Sequence, residues 1–509
     1  MTCMTLSSTG ASSASEITWD SINWTHVNKE VKRLQMRIAK GVREKRHGKV
    51  KALQWLLTHS WYGKLLAVRR VVQNPGSQTP GVDGVLWRTS RQKKQAVTSL
   101  QRRGYKPYPL RRIYIPKRNG KTRPLSIPTL KDRSMQALYL LALEPVVETT
   151  ADRNAYGFRP KRSTADAIYQ CYVVLARKTS ASWILEGDIR NCFDTLSGDW
   201  LMKHIPMDKQ LLSKWLTAGY IEKSVLHSTF DGVPQGGIIS PAILVLALSG
   251  LETAVKSATS PKDKVHMVIY ADDFIVTAAS KEVLETKVMP ILKDFLKERG
   301  LELSESKTKI THIEKGFGFL GFNIRKYRGK FLTKPSKENI KGLLADIRQT
   351  IKSLGSTKTE YLIHQLNPKI RGWTNYYCHV VAKEAFAYVD RCIFMALMKW
   401  MKRRHPNKGV RWCVAKYFRS QRLQNWIFFA KVRDKDGNPS YLDLFKAIHV
   451  PIRRHVKVRA EATPYDPAFK EYFLARSQAR RSLLARNRRE LQPITSRAKP
   501  RTSGSLSDL

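Results

Sequence analysis

The chain has 509 residues, length enough for about three domains with buried cores, and its 42% hydrophobic content makes it a folded chain rather than a disordered one. Lysine and arginine number 91 against 41 aspartate and glutamate, a formal net charge of +50, so the compact state repels itself and wants a polyanionic partner. The basic residues run along the whole chain instead of forming one juxtamembrane cluster, which favours nucleic acid over a membrane surface. The 6 cysteines lie far apart with no CxxC pair, which leaves no readable zinc knuckle or disulfide framework and points to a reducing compartment. Apolar stretches such as residues 242–248 fall far short of a membrane span, and residues 1–15 carry neither a signal-peptide core nor transit-peptide arginines. A cytoplasmic protein is expected.

In chain order, residues up to about Gln73 read as helical. Trp24, Val27, Val31, Leu34 and Ile38 recur at three- and four-residue steps among basic residues, and a second amphipathic run covers residues 50–66. Pro75-Gly76 and Pro80-Gly81 then mark loops. From Arg112 the period changes to two, and a turn at Asn119-Gly120 predicts a hairpin over residues 112–127. Helices are predicted at residues 132–144 and 242–255. A buried strand opens at Trp183-Ile184-Leu185, and two β-branched strands meet at Tyr270-Ala271-Asp272-Asp273. Strands alternating with helices through the centre make an α+β arrangement around one sheet. Beyond Lys330 the chain reads as helical and more basic, and residues 476–489 hold six arginines and no acid.

Chemistry is concentrated in three acids of this basic chain. Asp188 ends one predicted strand, while Asp272 and Asp273 occupy the turn between two others. Close carboxylates raise one another's pKa unless a cation sits among them, and magnesium suits hard oxygen ligands completed by substrate phosphates. An Asp-Asp pair alone is more often a turn or a cap. Here it is flanked by strands, with a third aspartate upstream and a Gly/Pro loop between.

The ordered motifs carry a resemblance. Tyr270-Ala271-Asp272-Asp273 resembles the catalytic box of reverse transcriptases, and Asp188-Ile189-Arg190-Asn191-Cys192-Phe193-Asp194 their first catalytic motif. Gly232-Val233-Pro234-Gln235-Gly236 is similar to the intervening loop, and Ala155-Tyr156-Gly157-Phe158-Arg159-Pro160 to the segment after the fingers hairpin. Gly316-Phe317-Gly318-Phe319-Leu320-Gly321 resembles the lead-in to the thumb. Arg371-Gly372-Trp373-Thr374-Asn375-Tyr376-Tyr377 resembles the maturase region of group II intron-encoded proteins. The chain is thus identified as a member of the group II intron reverse transcriptase and maturase family.

That resemblance implies a right-hand polymerase: a helical N-terminal extension (1–78), fingers and a palm with a ferredoxin-like sheet (79–330), a helical thumb and maturase region (331–430), and a basic DNA-binding region with a tail (431–509). It implies two magnesium ions held by Asp188, Asp272, Asp273 and the Ile189 carbonyl. Lys117 and Arg123 would bind the incoming deoxynucleoside triphosphate, although charge alone serves equally for general backbone contact. Phe193 would exclude a ribose 2′-hydroxyl or else be an ordinary core aromatic. Gln235 would position the nucleotide or be a turn residue. Lys307 would protonate the leaving pyrophosphate, with Lys309 an equally near alternative.

Arg371, Trp373, Tyr376, Tyr377, Arg480 and Arg481 would contact nucleic acid, although such aromatics equally form a packed helix face. The implied partners are intron RNA, target DNA and the template–primer duplex, in a cytoplasmic ribonucleoprotein that assists splicing and supports retrohoming by target-primed reverse transcription. The alternative is a catalytically idle maturase on the same fold. No cysteine follows Cys413 and no histidine follows His455, so the paired CxxC and His-Asn-His ligands of the family's endonuclease domain are missing. The expectation is therefore no second-strand nicking and a primer from elsewhere.

Overall fold

The computed structural model describes residues 18–116, 120, 122–229, 231–421, 424–434 and 436–490. Helices Trp24–Arg43, His47–His59 and Trp61–Val72 open the chain. The first turns its apolar stripe of Val27, Val31 and Ile38 inward. The expected single run over residues 50–66 is two helices. Ser60 sits in extended backbone, and its hydroxyl caps the next helix by accepting from Gly63 N at 3.0 Å. These helices pack on Leu130–Thr150, a helix buried along most of its length and longer than predicted at both ends.

Strands β1 (Leu110–Pro116) and β2 (Thr122–Ile127) form the predicted antiparallel hairpin. β3 (Trp183–Asp188) enters a second sheet, whereas β4 (Tyr220–Glu222) and β5 (Val225–His227) extend the first to the order β2-β1-β4-β5. β6 (His266–Tyr270), β7 (Asp273–Ala278) and β8 (Lys309–His312) join β3 in a central sheet of order β6-β7-β3-β8, every neighbouring pair antiparallel. Alternation along these strands feeds two cores. Leu185, Met267, Ile269, Phe274 and Val276 enter one core, shared with helices Leu130–Thr150, Ser240–Leu248 and Met289–Lys297. Ile184, Val268 and Ile275 enter the other, shared with helix Thr164–Leu175 and the helices beyond residue 337. The sheet is therefore covered on both faces. The ferredoxin-like sheet expected here carries helices on one face only; the other face is covered by helices that lie far along the chain.

β9 (Phe317–Phe319), β10 (Phe322–Tyr327) and β11 (Lys330–Pro335) lead into helices Lys337–Ser353, Thr359–Tyr377 and Lys383–Arg404. The expected all-helical remainder is interrupted by an antiparallel sheet of β12 (Phe418–Gln421), β13 (Gln424–Arg433) and β14 (Pro439–Asp443). Its middle strand carries Ile427-Phe428-Phe429-Ala430, a short apolar run that suits a buried strand as well as a helix. Among the described residues no helix is long and apolar enough to cross a membrane.

The chain then returns to the front of the molecule. Asp166, wholly buried at the start of helix Thr164–Leu175, accepts hydrogen bonds from His455 Nε2, Val458 N and an Arg476 terminal nitrogen, each at 2.8 Å. Burial alone would raise its carboxyl, but the bonds from His455, Ser163 and Val458 N outweigh it and bring the pKa down to about 2. A carboxyl depressed from 3.8 contributes about 2 kcal/mol above that ordinary value, and the contribution is lost as pH falls through the folded value. Asp166→Asn should therefore loosen residues 453–476, read as faster limited proteolysis there at neutral pH. Unchanged protection would assign the anchoring to the neighbouring apolar contacts.

Candidate active site

β3 and β7 end together, so Asp188 stands directly opposite Asp273 in the last pair of the ladder. Side chains so placed have Cβ atoms roughly 5 Å apart. β6 and β7 are joined by a turn so tight that Ala271 takes φ +59, a left-handed conformation costly for a residue with a Cβ, and Asp272 follows it at the same edge.

The turn is held from behind. Tyr156 N donates to Ile269 O at 2.9 Å and Ile269 N to Asn154 O at 3.0 Å, which lays residues 154–156 along β6. Gly157 then passes so close that a Cβ there would lie 2.3 Å from Ala271 N. The segment is pinned by the Arg159–Glu148 ion pair at 2.7 Å, both side chains almost wholly buried. Gly187 likewise lets the Phe274 ring lie where a Cβ would come within 2.3 Å of it.

Burial raises the Asp272 carboxyl, and the Asp188 charge adds to the rise. Burial, followed by repulsion from Asp272 and Asp188, pushes Asp273 up to about 7. Asp273 keeps an exposed face at this edge of the sheet. Lys307 Nζ donates to Asp188 Oδ2 at 2.7 Å, and that bond raises its own pKa, although its side chain is 64% exposed. Lys309 lies in β8 opposite Glu186, so the two lysines occupy different places. Ile189 is a non-hydrogen-bonded partner of Leu303, with bonds on either side from Arg190 N to Glu302 O and from Ser304 N to Asp188 O. Its carbonyl therefore points away from that strand.

Among the described residues no three His, Cys, Asp or Glu side chains stand grouped so as to hold a metal ion by themselves. The aspartates and the Ile189 carbonyl nevertheless offer hard oxygen donors, the donor type that suits a divalent ion. They are an all-oxygen, mutually repelling, open set that phosphate oxygens would complete.

On the side of the β1–β2 hairpin, Arg123 Nε donates to Gln235 Oε1 at 3.0 Å and Gln235 Nε2 donates to Asp194 Oδ2 at 3.2 Å. Lys117 lies outside the described residues. Phe193 is 8% exposed and meets Phe158 edge to face at 6.3 Å. On helix Thr359–Tyr377, Arg371 lies over the Phe445 ring at 5.1 Å. Tyr376 stacks on Phe322 at 5.3 Å with its hydroxyl on Leu320 O. Tyr377 is 2% exposed and donates to Gly321 O, so its ring is committed to packing. Trp373 packs on Tyr377 and Phe386. Arg480 and Arg481 fall in helix Lys470–Glu490, and their side chains lie outside what is described.

Sequence reasoning passed over Gly157 and Asp194. Both sit inside quoted motifs, but a glycine's close contact and an aspartate's distant partner leave no local pattern. Gly157→Ala should displace the Asp272 turn, lowering the polymerisation rate and costing about 1–3 kcal/mol of stability. Wild-type rate in that variant would show the turn to be held independently of this segment.

The family described as reverse transcriptase (RNA-dependent DNA polymerase) matches residues 115–324, its N-terminal domain residues 19–100, and the group II intron maturase-specific domain residues 340–418. Protein YkfC of Escherichia coli (strain K12) is 35% identical over 311 residues, covering 52% of this chain and 81% of that protein. The group II intron-encoded protein LtrA of Lactococcus lactis subsp. cremoris is 30% identical over 341 residues, covering 53% of this chain; the chain spans 56% of LtrA's length. Telomerase from Candida albicans shares 12% identity at a TM-score of 0.36, with 61% of this chain and 64% of that chain covered, too slight a likeness to add to the assignment. The chain belongs to the group II intron-encoded reverse transcriptase and maturase family, an RNA-directed DNA polymerase joined to a maturase-specific region.

Proposed function

We propose that Asp188, Asp272, Asp273 and the Ile189 carbonyl hold two magnesium ions at the edge of the central sheet, and that DNA synthesis on an RNA template takes place there. The observation that carries this reading is the Asp188–Asp273 register, with Asp272 in the adjoining turn. Two such ions, when bound, activate an attacking hydroxyl and stabilise the leaving pyrophosphate. The chain's own residues do the rest. Arg123, and Lys117 six residues before it, grip the triphosphate, the guanidinium as a bidentate fork. Gln235 orients the nucleotide, and Lys307, already at Asp188, is placed to give a proton to the leaving group. Phe193 is assigned to exclude a ribose 2′-hydroxyl.

The order β6-β7-β3-β8, with β7 inserted antiparallel between β3 and β8 on one side and β6 on the other, supports a ferredoxin-like palm. The β1–β2 hairpin supports fingers, and helices Lys337–Ser353, Thr359–Tyr377 and Lys383–Arg404 a thumb and maturase region. Within that region Arg371 and the exposed edge of Tyr376 are the candidates for RNA contact. The basic stretch after residue 431, with Arg480 and Arg481, is assigned to target DNA. The particle would be a cytoplasmic ribonucleoprotein that copies its RNA at the target site from a primer supplied from elsewhere, such as a nascent DNA strand. Three aspartates kept together at strand ends weigh against an idle maturase.

Primer extension on an RNA template with magnesium tests this. Asp272→Ala with Asp273→Ala should abolish deoxynucleotide incorporation, a loss of at least about a thousandfold, while RNA binding persists; equal loss of both would make the aspartates structural. Phe193→Ala should relax discrimination against ribonucleotides, measured as the ratio of kcat/KM for the two sugars, and an unchanged ratio would leave Phe193 to the core.

A further inference from the structure

Between the β1–β2 hairpin and the loop preceding Ser240, three side chains follow a fixed donor–acceptor order. Arg123 Nε donates to Gln235 Oε1, and Gln235 Nε2 donates to Asp194 Oδ2, at 3.0 and 3.2 Å. A guanidinium only donates and an ionised carboxylate only accepts, so the amide between them has one satisfactory orientation. The backbone fixes where that amide starts. Ser126 N donates to Gln235 O at 2.7 Å, Val233 N to Phe193 O at 2.6 Å, and Gly232 N to Leu196 O at 2.8 Å. Gly232 and Gly236 have φ +87 and +115, and a Cβ on them would come within 2.6 Å of Asp194 O and 2.3 Å of Ser126 O. The loop is clamped between β2 and the turn carrying Asp194, so the Gln235 amide can rotate but not withdraw.

We propose that Asp194 is a positioning residue for the incoming nucleotide: its carboxylate sets the Gln235 amide, the amide oxygen holds Arg123 by Nε, and the terminal nitrogens of Arg123 are left to face the triphosphate. This rests on the assignment of Arg123 to the nucleotide site. Without Asp194 the amide is as well placed in the flipped orientation, which sets its NH2 against the Arg123 N–H, donor against donor. A preorganised fork is lost, and the affected quantity is nucleotide affinity, not the rate of the chemical step.

The test is single-nucleotide incorporation on an RNA template by Asp194→Ala, Asp194→Asn, Arg123→Ala and the Asp194→Ala/Arg123→Ala pair. Asp194→Ala should raise KM for the deoxynucleotide about five- to tenfold with kcat within about twofold and RNA affinity unchanged. Asp194→Asn, which can still accept through Oδ1, should raise KM by less, and it carries the test if the alanine variant does not fold. In the Arg123→Ala background the Asp194 change should add nothing, because both act through one contact. Equal, additive losses in both backgrounds, or a fall in kcat at constant KM, would overturn the proposal by making Asp194 structural. If Arg123→Ala raises KM and Asp194→Ala does not, the proposal alone falls. If Arg123→Ala leaves KM unchanged, the nucleotide-site assignment falls with it.

Discussion

Antiparallel pairing of β3 with β7 sets Asp188 opposite Asp273, and the rest of the site depends on that register. A slip of one residue would send every side chain of β3 to the opposite face, separating the carboxylates and exchanging the contents of the two cores. The register is secured because both faces are buried. Ile184 and Leu185 are both 0% exposed, yet they belong to different cores, so neither can trade places with the other. The same burial that fixes the strands raises the carboxyls of Asp272 and Asp273. Fold stability and the site's demand for a cation thus share one origin.

The charge of the whole chain and the charge of the site have opposite signs. A surplus of fifty cations provides the field that draws in a polyanion, with a range cut by salt to about 10 Å. At the centre, three acids repel one another and would repel the phosphates of the substrate. Lys307 partly offsets Asp188 through an exposed contact of small energetic weight, and Arg123 faces the same space from the hairpin. A divalent ion held by Asp188, Asp272 and Asp273 would resolve the conflict, supplying at the site the positive charge that neither side chain brings.

The strands at the centre and their aspartates were legible because the period-two alternation and the Tyr270–Asp273 turn are local signals. The hairpin was legible for the same reason, from Ile113 and Ile115 to Leu125 and Ile127. Ser60 escaped notice because a cap within an amphipathic run differs from the run by a single residue. β13 was missed since Ile427-Phe428-Phe429-Ala430 has no period that separates a buried strand from a helix. The tie from Asp166 to His455 and Arg476 crosses about three hundred positions, and no sequence pattern marks either end. Trp373, Tyr376 and Tyr377 illustrate the opposite problem. Their composition and spacing suit base stacking and helix packing equally, and only burial and the hydroxyl bond to Gly321 O show that Tyr377 is committed to packing.

The most direct test of the central claim replaces magnesium with ferrous iron and maps where hydroxyl radicals generated at the bound ion cut the polypeptide. The account predicts cuts next to residues 188–189 and 270–273, lost in Asp272→Asn and competed away by magnesium. Cuts elsewhere, or cuts at these positions that survive the substitution, would contradict the assignment of the metal site to the β3–β7 register.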